Sequence, residues 1–264
     1  PKVQASGQGG LLDAAVHPDY QAGDWIFFTY SKAQKGTGQV NSATTLARAK
    51  LQGEQLVKLE DMLVTQSVSG SDYHVGSRIT FDGEGHLFFS IGDRGYRPNA
   101  QDLGTHSGSI LRLKIDGSVP DDNPLVNRTD ALPEIWSYGH RSPQGLVIHP
   151  ETGDLWESEH GPQGGDELNL IEPGKNYGWP VIGRGTNYGS IGSPIHGAIG
   201  QQGMEQPVHF WVPSIAASGL MVYTGDKFPM WHGSILSGAL AGEQLARLHM
   251  SDDYREVIVE ETLA

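Results

Sequence analysis

The 264-residue chain has no cysteine, which removes disulfides, thiolate metal sites and cysteine nucleophiles together and fits a bacterial export route. It has no apolar run approaching the roughly 18 residues of a membrane-spanning helix. Positive charge is scarce: 18 Lys and Arg stand against 31 Asp and Glu, and the formal charge of −13 repels phosphate backbones. The basic residues are scattered rather than clustered, so nucleic acid is not an expected partner. Helical periodicity is missing as well, because Gly or Pro interrupts every window that could carry apolar residues at i, i+3, i+4 and i+7.

Turn chemistry is abundant, with 36 Gly and 15 Pro. The stretch His74 to Gly95, HVGSRITFDGEGHLFFSIGDRG, reads as a strand from Arg78 to Phe81, a turn at Asp82-Gly83-Glu84-Gly85, a strand from His86 to Ile91 and a polar loop. The same order recurs at Leu11 to Phe28 and at Gly145 to Glu157. Further strands follow, such as Ser109 to Ile115 and Pro133 to Ser137. Four short antiparallel strands per unit describe a propeller blade. The units run roughly 9 to 67, 74 to 138, 144 to 189 and 217 to 262. The expected class is therefore an all-β propeller, a single domain over 1–264, in preference to a β-sandwich, whose strands would be more evenly spaced.

His74 opens the second unit at its loop end, and a neutral imidazole suits general-base chemistry near neutral pH. Asp93 lies 19 residues on, where the hairpin has returned to the same end, and a carboxylate there can hold the other ring nitrogen. The bland alternative is a turn-capping histidine. His17 and His149 sit in His-Pro turns and need no further explanation, while His86, His140 and His160, which flank glycine, and His106, two residues from one, are ambiguous. Arg141 falls where one unit crosses to the next, as an interblade ion-pair partner or as a planar donor to ligand carboxylates. The segment Glu159 to Asn169 is rich in oxygen ligands and glycine, as a calcium site or an ordinary acidic turn.

Five motifs, GQGGLLDAAVHPDY, HVGSRITFDGEGHLFFSIGDRG, SYGHRSPQGL, EHGPQGGDELNLIEPGKNYGWP and SGLMVYTGDKFPMW, together resemble the soluble aldose sugar dehydrogenases, six-bladed propeller enzymes that use pyrroloquinoline quinone and calcium. The resemblance implies oxidation of an aldose at C1 to the lactone in the periplasm or outside the cell. His74 would be the base and Asp93 its partner. His74, Gln8, Arg141, Ser142 and Tyr188 would contact the quinone, with Arg141 also stabilising charge in the reaction. The carbonyls of Gly161 and Pro162 would hold the cofactor's calcium, and Glu167 with the carbonyl of Tyr177 or a nearby group a second, structural calcium. Second-sphere support is expected from His140 and His160. Many family members carry Asn where Ser142 stands, and a Lys is expected at Ala241, after Gly238-Ala239-Leu240. About four of the family's six blades fall within this chain, so the remaining blade segments are expected outside 1–264. No electron acceptor is indicated. A non-catalytic propeller binding a protein or glycan on its loop face is the alternative.

Overall fold

A computed structural model describes residues 1–34, 41–189, 193, 195 and 197–263. It contains four four-stranded antiparallel sheets, each a simple meander in chain order. The first holds β1 (Leu11–Val16), β2 (Trp25–Gln34), β3 (Asn41–Gln52) and β4 (Gln55–Val64). The second holds β5 (Ile79–Phe81), β6 (His86–Ile91), β7 (Ser109–Lys114) and β8 (Ile135–Tyr138). The third holds β9 (Pro143–Ile148), β10 (Leu155–Glu159), β11 (Asp166–Ile171) and β12 (His209–Trp211). The fourth holds β13 (Ala217–Val222), β14 (Ile235–Ala239), β15 (Gln244–Met250) and β16 (Val257–Leu263). Among the described residues the helical elements are two short 3-10 turns, Arg97–Gln101 and Pro229–Trp231. Among the described residues no helix is long and apolar enough to cross a membrane.

The first strands pack in sequence, β1 on β5, β5 on β9 and β9 on β13, and no comparable contact joins β13 to β1 among the described residues. Period-2 alternation supplies both faces of each sheet. On β6, Leu87, Phe89 and Ile91 join Phe27 and Leu46 in the layer between the first and second sheets. The intervening Phe88 turns to Leu146, Leu155 and Ile171 of the third sheet. A further layer joins Trp156, Leu168 and Trp211 to Ile235, Leu248 and Met250. Burying each large side chain stabilises by about 1.5–3 kcal/mol, so these layers hold the sheets in register with one another.

Two boundaries differ from the sequence reading. The third sheet takes its outer strand from His209–Trp211, beyond the expected end at 189, because the chain between β11 and β12 is a long excursion without strand alternation. Within Glu159 to Asn169, expected as a loop, Glu159 ends β10 and Asp166–Ile171 form β11, leaving only 160–165 as the turn.

In each meander the start of the first strand and the end of the second lie on one rim. That rim gathers the segments around Gln8, His74, Asp93, Arg141 and His160. Gly92 makes the gathering possible: a Cβ there would lie 2.5 Å from the His74 carbonyl oxygen and 2.7 Å from that of Arg141. Gly92→Ala is expected to cost about 1–3 kcal/mol, the usual range for overpacking a tight site. Thermal unfolding should show the midpoint falling by several degrees; an unchanged midpoint would show that the rim backbone yields freely.

Candidate functional site

His74 follows a loop fastened from below by Arg94, whose buried guanidinium donates to the carbonyls of Tyr73 (3.1 Å) and Ser71 (2.9 Å) and to Ser42 Oγ (3.2 Å). Burial lowers the Arg94 pKa, partly offset by Asp72 and Asp93. The His74 backbone N–H donates to Gln8 Oε1 at 2.6 Å. Its ring Nδ1 lies 2.6 Å from Asp93 Oδ1, with the Asp93 side chain 1% exposed. The same oxygen accepts from Gly95 N at 2.7 Å, and Oδ2 accepts from Trp179 Nε1 at 2.7 Å. With Nδ1 directed at an acceptor-only carboxylate, Nε2 is the ring nitrogen that carries a lone pair.

Arg141 enters through its backbone, whose carbonyl accepts from Asp93 N at 2.9 Å. Its Nη1 donates to the carbonyls of His160 (3.0 Å) and Gly161 (2.8 Å), and its guanidinium lies over the Trp179 ring at 5.3 Å. No acidic side chain pairs with it among the described residues, so the interblade ion pair is not what holds Arg141. Gln8, His74, Asp93 and Arg141 are thus brought together. Ser142 sits deeper: it is buried, its N donates to Glu159 Oε2 at 3.1 Å and its Oγ accepts from Gln144 at 3.1 Å. Tyr188 is 68% exposed and stands on the wall of a 630 Å³ cavity shared with Gly161, Pro162, Arg184 and Ala241 but not lined by His74. His160 borders that cavity and a 310 Å³ cavity lined by Gln8, Val75 and Arg78.

Beneath the rim lies an acidic cluster that takes in Glu159, Glu167 and Asn169 from the segment singled out in the sequence, together with Glu157, which was not. Glu157 and Glu159 on β10 stand opposite Asn169 and Glu167 on β11, one face of an antiparallel pair. All four are buried or nearly so. Glu159 is well served: Oε2 accepts from Arg141 N at 2.5 Å and from Ser142 N, and Oε1 lies 3.3 Å from His140 Nδ1. Glu157 Oε1 and Asn169 Oδ1 have no hydrogen-bond partner among the described residues. Burial, followed by the charge of Glu159, drives the Glu157 carboxyl well above its ordinary range and pushes Glu167 up to about 8. One atom each of His140, Glu157 and Glu159 lie within 4.8 Å of one another. Tyr177 stacks on His140 at 4.8 Å and lines a small cavity with Glu159 and Glu167, while its phenol is committed to the Leu170 carbonyl at 2.6 Å. An orphaned carboxylate oxygen in an oxygen-rich, buried cluster fits a hard cation such as calcium. In the turn above, Gly161 is so closely wrapped that a Cβ would meet Gly165 O at 2.2 Å, and its carbonyl accepts from Arg141 Nη1 at 2.8 Å.

Four other histidines flagged in the sequence have local partners. His17 and His149 accept from turn amides, His86 faces Asp82 at 2.7 Å, and His106 faces Glu134 at 3.1 Å. The sequence signal for Glu157 was the alternation Glu157-Ser158-Glu159 inside an otherwise buried strand, since acids spaced by two share a face.

The raised acids set a pH dependence. Between the ordinary carboxyl value of 4.5 and about 8 the folded protein retains a proton on Glu167 that the unfolded chain releases. Stability of chelated protein should therefore be highest at low pH and fall as pH rises through that window. Calcium should raise the melting temperature more at pH 8 than at pH 5, far better than magnesium. Melting curves with and without chelator test this; a chelated protein that stabilises on going from pH 5 to 8 would show the cluster to be paired already.

Comparison with known proteins agrees over the whole chain. The family described as Glucose / Sorbosone dehydrogenase matches residues 1–264. Aldose sugar dehydrogenase YliI of Escherichia coli is 38% identical over 253 residues, covering 96% of this chain and 68% of that protein. A Synechocystis protein, slr1608, is 42% identical over 270 residues, covering 98% of this chain and 64% of its own length. The chain thus spans about two thirds of the length of these curated relatives. The apo crystal structure of the soluble Escherichia coli aldose sugar dehydrogenase superposes with a TM-score of 0.92 at 37% identity, covering 99% of this chain and 74% of that one. The PQQ-bound aldose sugar dehydrogenase of Streptomyces coelicolor gives 0.75 at 28% identity, covering 100% and 69%. The chain belongs to the glucose/sorbosone dehydrogenase family.

Proposed function

We propose that this chain is the site-bearing part of a quinoprotein aldose dehydrogenase that oxidises an aldose at C1 to the lactone. The observation that carries the reading is the 2.6 Å contact of His74 Nδ1 with a buried, three-donor Asp93 on the rim shared with Arg141 and the Gly161-Pro162 turn. When bound, pyrroloquinoline quinone supplies the two-electron acceptor and calcium the charge that polarises it. Gln8, His74, Arg141, Ser142 and Tyr188 are the proposed cofactor contacts. The carbonyls of Gly161 and Pro162 are the proposed ligands of one calcium, and Glu167 with Tyr177 those of a second. His74 Nε2 takes the C1 hydroxyl proton, and Asp93 holds Nδ1–H and stabilises the imidazolium that forms. Arg141 stabilises negative charge that develops beside it.

In the same reading 1–264 is one propeller domain, the four sheets are part of a six-bladed ring, and the protein works in the periplasm or outside the cell. Export is consistent with the lack of cysteine.

One observation favours the second reading, a non-catalytic propeller that binds a protein or glycan. Ala241 lines the cavity beside Gly161 and Pro162 where the resemblance calls for lysine. A missing charged hydrogen bond costs about 1.5–3 kcal/mol. Ala241→Lys should therefore tighten quinone binding about tenfold or more, measured by titrating calcium-loaded protein; no change would place that residue outside the cofactor site.

Titration with calcium and quinone, followed by dye reduction on adding an aldose, tests the main reading. Dye reduction supports the enzyme, and its absence with quinone bound supports the binding module. His74→Ala should lower turnover by about 100-fold or more, a far larger loss than its effect on quinone affinity. Equal turnover in variant and wild type would remove His74 from the chemistry.

A further inference from the structure

We infer that Trp179 is a positioning residue for His74: its indole N–H fixes the orientation of the Asp93 carboxylate and thereby the placement of the imidazole that donates to it. Only the effect on rate rests on the proposed sugar oxidation; the hydrogen-bond geometry stands apart from it.

A carboxylate turns about a broad, two-fold torsion, so Asp93 alone does not determine which oxygen meets the imidazole. Trp179 Nε1 at 2.7 Å occupies Oδ2, while Gly95 N at 2.7 Å and His74 Nδ1 at 2.6 Å share Oδ1. Every close donor to Asp93 is thereby assigned an oxygen. The carboxylate only accepts, so the neutral imidazole keeps its proton on Nδ1 and presents the Nε2 lone pair.

Trp179 is itself held in place. It comes from the excursion between β11 and β12, yet its backbone N donates to Gly139 O at 2.9 Å and its carbonyl accepts from Gln101 Nε2 at 2.7 Å, both in the chain of the second sheet. Gln101 is fixed in turn by reciprocal amide bonds with Asn176 at 3.0 and 2.8 Å. The indole, 7% exposed, lies beneath the Arg141 guanidinium. One side chain therefore joins the expected base and its partner to the expected cofactor cation, with its donor preorganised by bonds to the chain of the second sheet.

Trp179→Phe keeps an aromatic ring and deletes the donor. With one donor fewer, negative charge on Asp93 is less dispersed and the imidazolium is favoured. Nitrogen-15 NMR of cofactor-free protein should show a single Nδ1–H form of neutral His74 in wild type, and altered ring-nitrogen shifts in the variant as the carboxylate loses its fixed orientation. In loaded enzyme the acidic limb of kcat/KM should move up by roughly half a unit to one unit, with kcat down about tenfold and KM nearly unchanged. Trp179→His, which retains a ring N–H, should restore part of the shift. Identical His74 spectra in wild type and Trp179→Phe would overturn the inference, whether or not sugar is oxidised. If Trp179→Phe does not fold, the wild-type indole proton of Trp179 serves: it should resonate downfield and move upfield in Asp93→Asn, and no movement would equally overturn the inference.

Discussion

The rim depends on one buried carboxylate being completely hydrogen-bonded. Asp93 is 1% exposed, and a charge so placed is tolerated only when donors surround it. Its side chain receives three donors, its N–H reaches the Arg141 carbonyl, and its own carbonyl accepts from Asn99 Nδ2 at 2.9 Å. These partners belong to different stretches of chain, so satisfying one acid also fixes their mutual positions. Gly92 permits the close approach and Asp93 then holds it.

The acids below are the opposite case. Glu159 takes two backbone N–H groups and a histidine, whereas its neighbours Glu157 and Glu167 share mainly the one amide of Asn169. Three carboxyl groups on one sheet face repel when ionised, and burial removes the water that would screen them. Two remedies exist, a proton or a cation. Asp93 has no need of either, which makes it suitable as a fixed anion; Glu157 and Glu167 need one, which makes them suitable as a binding site that reports its occupancy in stability.

Much of this was legible in the sequence because hairpins write themselves locally. The turn at Asp82 to Gly85 and the strand His86–Ile91 emerge where the Gly spacing and the aromatic run place them. The spacing of His74 and Asp93 was readable for the same reason, since one hairpin returns the chain to its starting rim. Trp179 and Glu157 were not. Trp179 meets Asp93 across 86 positions, through an excursion with no strand alternation to forecast its path. Glu157 lies in a strand whose every residue is buried, so the usual rule that acids face water fails there. The end of the third sheet was missed because β12 is only three residues long and follows that same excursion.

The excursion is also where the third sheet reaches back over the second. Tyr177 N donates to Tyr138 O at 2.8 Å, Trp179 N to Gly139 O, and the Tyr177 ring stacks on His140. These contacts lie directly above the layer in which Phe88 and Ile110 pack on Leu146 and Ile171. The apolar layer sets the separation of the two sheets, and the polar contacts above it convert that separation into angstrom-level placement of Asp93, Arg141 and Glu159. A change in core volume in this layer would therefore be felt at the rim before it unfolded either sheet, because close-packed interiors transmit displacement rather than absorb it.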